Sequence, residues 1–233
     1  MVLPLGRASV FGFGVPGAAV TVSQPKADVV ATRVGADGRW QCVVETPAPG
    51  GPHLITASCG DEQVVLRDVM VGDVWLGSGQ SNMEMPVGNI GSWRSGVANS
   101  EQEIAAADHP RLRLFTVEPT IAGAPADDVT GTWSVCSPAT VARFSATGYF
   151  FGRELSQQLD MPIGIVASSW GGTVCEAWAS AAGLRDFPEF APAIEGLPQD
   201  AAAAPRSRAL RLAEFWRQID GKDPAPEATG WEA

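Results

Sequence analysis

Val69-Met70-Val71-Gly72-Asp73-Val74-Trp75-Leu76-Gly77-Ser78-Gly79-Gln80-Ser81-Asn82-Met83-Glu84-Met85 passes from an apolar run into small residues and then into a segment that reads as a helix. The run Val69–Leu76 predicts a strand, and Gly77–Gly79 end it. A strand that enters a helix directly after small residues can expose a serine hydroxyl beside free backbone N–H groups. That is the geometry acyl transfer needs, and it makes Ser81 the candidate nucleophile.

The competing reading is a plain glycine-serine turn. Two better-known motifs are excluded by single residues. The Gly-x-Ser-x-Gly elbow needs glycine where Met83 stands, and the dinucleotide-binding fingerprint needs its third glycine where Asn82 stands. What remains is Gly79-Gln80-Ser81-Asn82.

Outward from this block, periodicity divides the chain in two. From Ala8 to Val69, short alternating runs (Ala19–Val22, Val29–Thr32, Trp40–Val44, His53–Ala57) are separated by turn signals, with Asp37-Gly38 predicting a hairpin and Pro47–Pro52 a loop. This predicts a small all-β sandwich over residues 1–69. At about 65 residues such a unit is near the lower limit for independent stability and should pack on the remainder of the chain. Over residues 70–233 strands alternate with helices. Leu112–Val117 reads as a second strand, Ser145–Leu159 as a helix and Ile163–Ala167 as a third strand, followed by Gly171-Gly172. The predicted fold class is therefore α/β, a parallel sheet with covering helices preceded by the sandwich. Ligands of such sheets bind beyond the carboxyl ends of the strands, where Ser81 and Gly171-Gly172 both fall.

The chain resembles the sialate O-acetylesterases, carbohydrate esterases of the SGNH-hydrolase type, in ordered blocks. These are Phe11–Val22 with Gly50-Gly51-Pro52, then Gly72-Asp73-Val74-Trp75 with Gly79-Gln80-Ser81-Asn82, then Gly148-Tyr149-Phe150-Phe151-Gly152-Arg153-Glu154-Leu155, then Pro162–Thr173 with its Ser168-Ser169-Trp170-Gly171-Gly172-Thr173. The resemblance implies that Ser81 is acylated, and that its N–H, with one from Gly171 or Gly172, holds the oxyanion. Gln80 and Asn82 either donate to substrate or brace the turn, with bracing the favoured role. Trp93, Trp170 and Trp178 are candidate sugar platforms, though large aromatics more often fill cores. Asp73 is expected to support the strand end. The implied substrate is an O-acetylated carbohydrate, and no metal or cofactor is called for.

A serine esterase needs a base, usually a histidine oriented by a carboxylate. Only His53 and His109 are present. His53 lies in the β region, and His109 precedes the strand Leu112–Val117, at the end of the sheet opposite Ser81. The family's later blocks, Gln-Gly-Glu-x-Asn and Asp-x-x-His, have no match after Thr173. The chain instead runs through an alanine- and proline-rich loop from Gly196 to Pro205. A helix is predicted from about Arg206 to Asp220, with Ala209, Leu212, Ala213, Trp216 and Ile219 on one face. The expectation is an amino-terminal portion of a larger esterase, with a non-catalytic glycan-binding remnant as the alternative.

Composition sets the remaining bounds. With 233 residues, 45% hydrophobic and 18% charged, the chain can form one substantial core or two modest ones. A net charge of -10 without Lys/Arg clusters argues against nucleic acid. No apolar run approaches the roughly 18 residues of a membrane span, and no leader-like segment opens the chain. Met1-Val2-Leu3-Pro4 resembles a family stretch that follows a leader, which implies a secreted, periplasmic or lysosomal setting. Cys42, Cys59, Cys136 and Cys175 lack metal or Cys-x-x-Cys spacing and are expected to be buried free thiols.

Overall fold

The computed structural model describes residues 1–25, 27–91, 95–122, 124–126 and 128–196. The predicted loop Gly196–Pro205, past its first residue, and the predicted helix Arg206–Asp220 lie outside these. The chain forms two compact units, Met1–Glu118 with Thr130–Gly172, and Pro119–Val129 with the segment from Thr173 on.

In the first unit the strands are β1 (Val2–Pro4), β2 (Arg7–Phe13), β3 (Ala19–Ser23), β4 (Val30–Arg33), β5 (Arg39–Glu45), β6 (Gly50–Cys59) and β7 (Glu62–Gly79). They are followed by helices α1 (Ser81–Glu84) and α2 (Ser100–Ala105), strands β8 (His109–Thr116) and β9 (Trp133–Cys136), helix α3 (Ala146–Gln158) and strand β10 (Ile163–Ser169). The strands β2 to β6, with the first part of β7, make the expected sandwich. The antiparallel pair β2–β5 faces the layer β4-β3-β6-β7. Alternation dictates this, since Ala8, Val10, Cys42 and Val44 point inward to meet Val20, Val22, Ile55 and Val69.

Two local expectations need correction. Asp37-Gly38 does not close a hairpin, because β4 pairs with β3 and β5 with β2. The turn, fastened by Gly35 N–H to the Arg39 carbonyl and by Arg39 N–H to Asp37 Oδ1, carries the chain from one layer to the other. The loop at Pro47 also ends early, since Gly50–Pro52 already belong to β6.

β7 runs unbroken for 18 residues, across the boundary expected between residues 69 and 70. Its first part pairs antiparallel with β6, while Asp73–Gly79 pair in parallel with Ile163–Ser169 of β10. β10 pairs in parallel with β8, and β9 adds an antiparallel edge. The far side of Asp73–Gly79 has no strand partner among the described residues, and Val74, Trp75 and Leu76 are exposed.

Helix α3 starts where Ser145 caps it, its hydroxyl accepting the Gly148 N–H at 3.1 Å. It covers the sheet through Gly148, Tyr149 and Gly152, over a core of Leu112, Leu114, Ile163 and Ile165. The two glycines, four apart on one face, set a close approach. A Cβ at Gly152 would lie 2.8 Å from both Ile165 Cγ1 and Leu112 Cδ1. Gly152→Val should therefore destabilise the protein by about 1–3 kcal/mol in urea unfolding, despite valine's better helix propensity. Wild-type stability in this variant would show that α3 does not sit this close to β10.

The described part of the second unit contains a 3-10 helix (Cys175–Trp178), helix α4 (Ala181–Leu184), a 3-10 helix (Pro188–Phe190) and helix α5 (Ala191–Glu195). All four cysteines are free. Cys42 and Cys136 are buried, Cys59 is half-buried, and Cys175 is exposed, against the expectation of burial for all. Burial pushes the Cys136 thiol up to about 12, which keeps it protonated and inert. No helix among the described residues is long and apolar enough to cross a membrane.

Candidate active site

The parallel pairing of β7 with β10 ends level, Ser169 opposite Gly79, and the Trp170 N–H then donates to the Gly79 carbonyl at 3.0 Å. The turn after β7 and the turn after β10 thus leave the sheet side by side at its carboxyl edge. Ser81 opens α1 on one of them, and Gly171-Gly172 form the other.

The first turn is held from below and from the side. The Met83 and Glu84 N–H groups both donate to the Gln80 carbonyl at 2.9 Å. The Met83 side chain lies under the strand end, so that a Cβ at Gly77 would come within 2.9 Å of its Cε and one at Gly79 within 3.1 Å of its Cγ. Gly79 has φ 145, a backbone conformation that side chains rarely allow. From the side, Thr147 Oγ1 donates to the Asn82 carbonyl at 2.9 Å and the Ala146 N–H to the Met85 carbonyl at 2.8 Å, fastening α1 to the start of α3.

Ser81 is half-buried, and no described residue engages its hydroxyl or its N–H in a hydrogen bond. Gln80 and Asn82 are exposed, and the bonds that brace the turn come from their backbone carbonyls, which leaves both side-chain amides unengaged by described residues. Gly172 is exposed with φ 78 and open space where a Cβ would stand. The Gly171 N–H is already taken, donating to Glu84 Oε2 at 2.5 Å. Of the two alternatives for the second oxyanion donor, Gly172 is the one whose N–H has no such partner among the described residues.

Sequence reasoning does not single out Glu84. Its signal there is only a carboxylate at the fourth position of the helix that Ser81 opens. Trp170 is half-buried, with its backbone tied to Gly79. Trp178 belongs to the second unit, exposed, its indole N–H donating to Thr173 Oγ1 at 2.8 Å. Trp93 lies outside the described residues. Asp73 pairs with Ile163 at the start of the parallel segment, six residues before Gly79, so it stands about 20 Å short of the carboxyl edge at roughly 3.3 Å per residue.

The histidines are remote from Ser81. Leu112, Ile163 and Asp73 share one register level, His109 lies three residues before it and Gly79 six beyond, which separates His109 from the site by about 30 Å along the strands. His109 instead meets the buried Tyr149 hydroxyl at 3.5 Å. Burial, followed by the nearby Arg153 charge, lowers its pKa below the ordinary histidine value. His53 sits in β6 opposite Val69, with Nε2 buried and unpartnered among the described residues.

No family model matches the chain. It is 34% identical to a sialate O-acetylesterase of Pongo abelii and 33% identical to that of Homo sapiens, in each case over 87% of this chain and 40% of the relative. The Mus musculus sialate O-acetylesterase is 35% identical over 76% of this chain and 35% of its own length. The chain is a homologue of the sialate O-acetylesterases. In three dimensions it resembles a carbohydrate acetylesterase from Xanthomonas citri, with a TM-score of 0.74 and 36% identity over 85% of this chain and 43% of that one. The mixed sheet with its parallel strands therefore matches part of that carbohydrate acetylesterase's structure. The chain spans about two-fifths of the length of these relatives.

The strain at Gly79 gives the site a direct test. Gly79→Ala should cost about 1–3 kcal/mol by forcing a side chain into that φ region against Met83. Urea unfolding checks this, and an unchanged midpoint would contradict the strained turn beneath Ser81.

Proposed function

We propose that this chain forms the nucleophile half of a serine carbohydrate esterase that removes O-acetyl groups from sialic acid or related glycans. The observation that carries this reading is the side-by-side exit of the two turns, with Ser81 on one and Gly172 on the other. Ser81 Oγ attacks the acetyl carbonyl carbon, and the carbonyl oxygen becomes an oxyanion held by the Ser81 and Gly172 N–H groups. The serine proton passes to a base, which returns it to the sugar oxygen as the C–O bond to the sugar breaks. Water then repeats the sequence on the acetyl-enzyme and releases acetate. Gln80 and Asn82, through their side-chain amides, and Trp170 are the proposed sugar contacts. Neither metal nor cofactor enters this scheme.

The base is not His53 or His109, which lie away from Ser81. We assign it to the Asp-x-x-His that the resemblance places in the length of the relatives this chain does not span. The same remoteness of the histidines favours a second reading, a pocket that binds acetylated glycan without turning it over. Acetate release from O-acetylated sialic acid and acetylated plant glycans separates the two. In the protein extended to the relatives' length, Ser81→Ala should lower kcat by about 10³-fold or more. Glycan binding without any Ser81-dependent acetate release would establish the second reading.

The histidines provide an independent check. His53→Gln with His109→Gln in that protein should leave kcat within about threefold, with any loss appearing as stability instead. A collapse of kcat in a folded double variant would mean that one of these histidines does reach the acyl site.

A further inference from the structure

Glu84 stands on the helix that begins with Ser81, yet its carboxylate reaches a loop 87 residues further along the chain, where Oε2 accepts the Gly171 N–H at 2.5 Å. A hydrogen bond from a backbone N–H to a carboxylate is charge-assisted and roughly twice as strong as one between neutral groups. It joins the two turns directly at their tips, whereas the pairing of β7 with β10 and the Trp170 N–H to Gly79 bond join them only at their bases. At the loop tip Gly172 is exposed, has φ 78, and has open space where a Cβ would stand. A glycine pair in such a position samples many conformations unless something restrains it.

We propose that Glu84 is a positioning residue that clamps the Gly171 amide so that the next amide, that of Gly172, is held opposite Ser81 as the second oxyanion donor. This rests on the acyl-transfer reading of the site. Glu84 acts through the loop backbone and as a hydrogen-bond acceptor. Its negative charge is not what the site uses, since a carboxylate close to a developing oxyanion opposes it. Oxyanion catalysis depends on donors already in place, and misplacement by about 1 Å can cost on the order of 100-fold.

Three variants, each made in the protein extended to the relatives' length, separate the possibilities. Glu84→Gln keeps an acceptor oxygen at nearly the same reach, Glu84→Ala removes it, and Ser81→Ala removes the nucleophile. Each is incubated with a fluorophosphonate, and the labelling rate at each serine is followed by peptide mass spectrometry. The Gly171 and Gly172 amide protons are observed by NMR in the same samples.

In wild type, Ser81 should label faster than any other serine, with the Gly171 amide proton far downfield and slow to exchange. Glu84→Gln should label within about threefold of wild type. Glu84→Ala should lose between about 10-fold and 100-fold in maximal labelling rate at unchanged reagent affinity, with the Gly171 resonance moving to an ordinary, rapidly exchanging position. Equal labelling in Glu84→Ala overturns the proposal while leaving Ser81 as nucleophile. Loss of labelling in Glu84→Gln as large as in Glu84→Ala also overturns it, since the charge and not the acceptor would then be needed. If Ser81 is no more reactive than other serines in wild type, the acyl-transfer reading fails and takes the proposal with it. Should Glu84→Ala not fold, the wild-type Gly171 amide and Glu84→Gln still decide, and a Gly171 amide in free exchange with solvent contradicts the clamp.

Discussion

The site depends on seven residue pairs of parallel strand, Asp73–Gly79 against Ile163–Ser169, that finish at the same level. A slip of one residue would move Ser81 relative to Gly171-Gly172 by about 3.3 Å and turn the side chains of one strand to the opposite face. What prevents the slip is the burial of Ile163, Ile165 and Ala167 under α3. The strand core thus sets the position of chemistry that lies beyond it. α3 contributes twice, first by covering the sheet through Gly148 and Gly152, and then by holding α1 through Ala146 and Thr147.

The length of β7 gives the sandwich a part in this arrangement. One strand supplies Val69 to the sandwich core and, ten residues later, ends in Gly79 under the turn that carries Ser81. Arg113 of β8, with 6% of its side chain exposed, forms a two-pronged ion pair with Asp68 of β7 at 2.5 and 2.9 Å. The pair fastens the middle of β7 to the parallel sheet, at the point where the strand exchanges one set of neighbours for another. The sandwich is in this sense an anchor for the strand that delivers Ser81.

Much of this is legible in the sequence wherever the information is local. Alternation of apolar residues locates the sandwich strands, the predicted helix Ser145–Leu159 matches α3 with its two flanking cap residues, and Gly79-Gln80-Ser81-Asn82 marks the turn from β7 into α1. What is not legible depends on pairing between distant segments. Asp37-Gly38 has the chemistry of a hairpin turn, but turn chemistry does not specify whether the flanking strands pair with each other, and here they enter different layers. A change of pattern near residue 70 falls inside one strand, at the point where β7 passes from pairing with β6 to pairing with β10. Val74 and Leu76 belong to an apolar strand run, yet they are exposed, with β10 on one side of them and no described strand on the other. Glu84 gives no local sign of its bond to the Gly171 N–H, which lies 87 residues away.

The central claim is that Ser81 and the Gly172 amide act on one acyl group. A crystal structure of the phosphonate adduct of the protein extended to the relatives' length tests it most directly. The account predicts phosphorus bonded to Ser81 Oγ, with the phosphonyl oxygen within about 2.7–3.1 Å of both the Ser81 and Gly172 backbone nitrogens. An adduct on another serine, or one on Ser81 whose oxygen points away from Gly172, would contradict it.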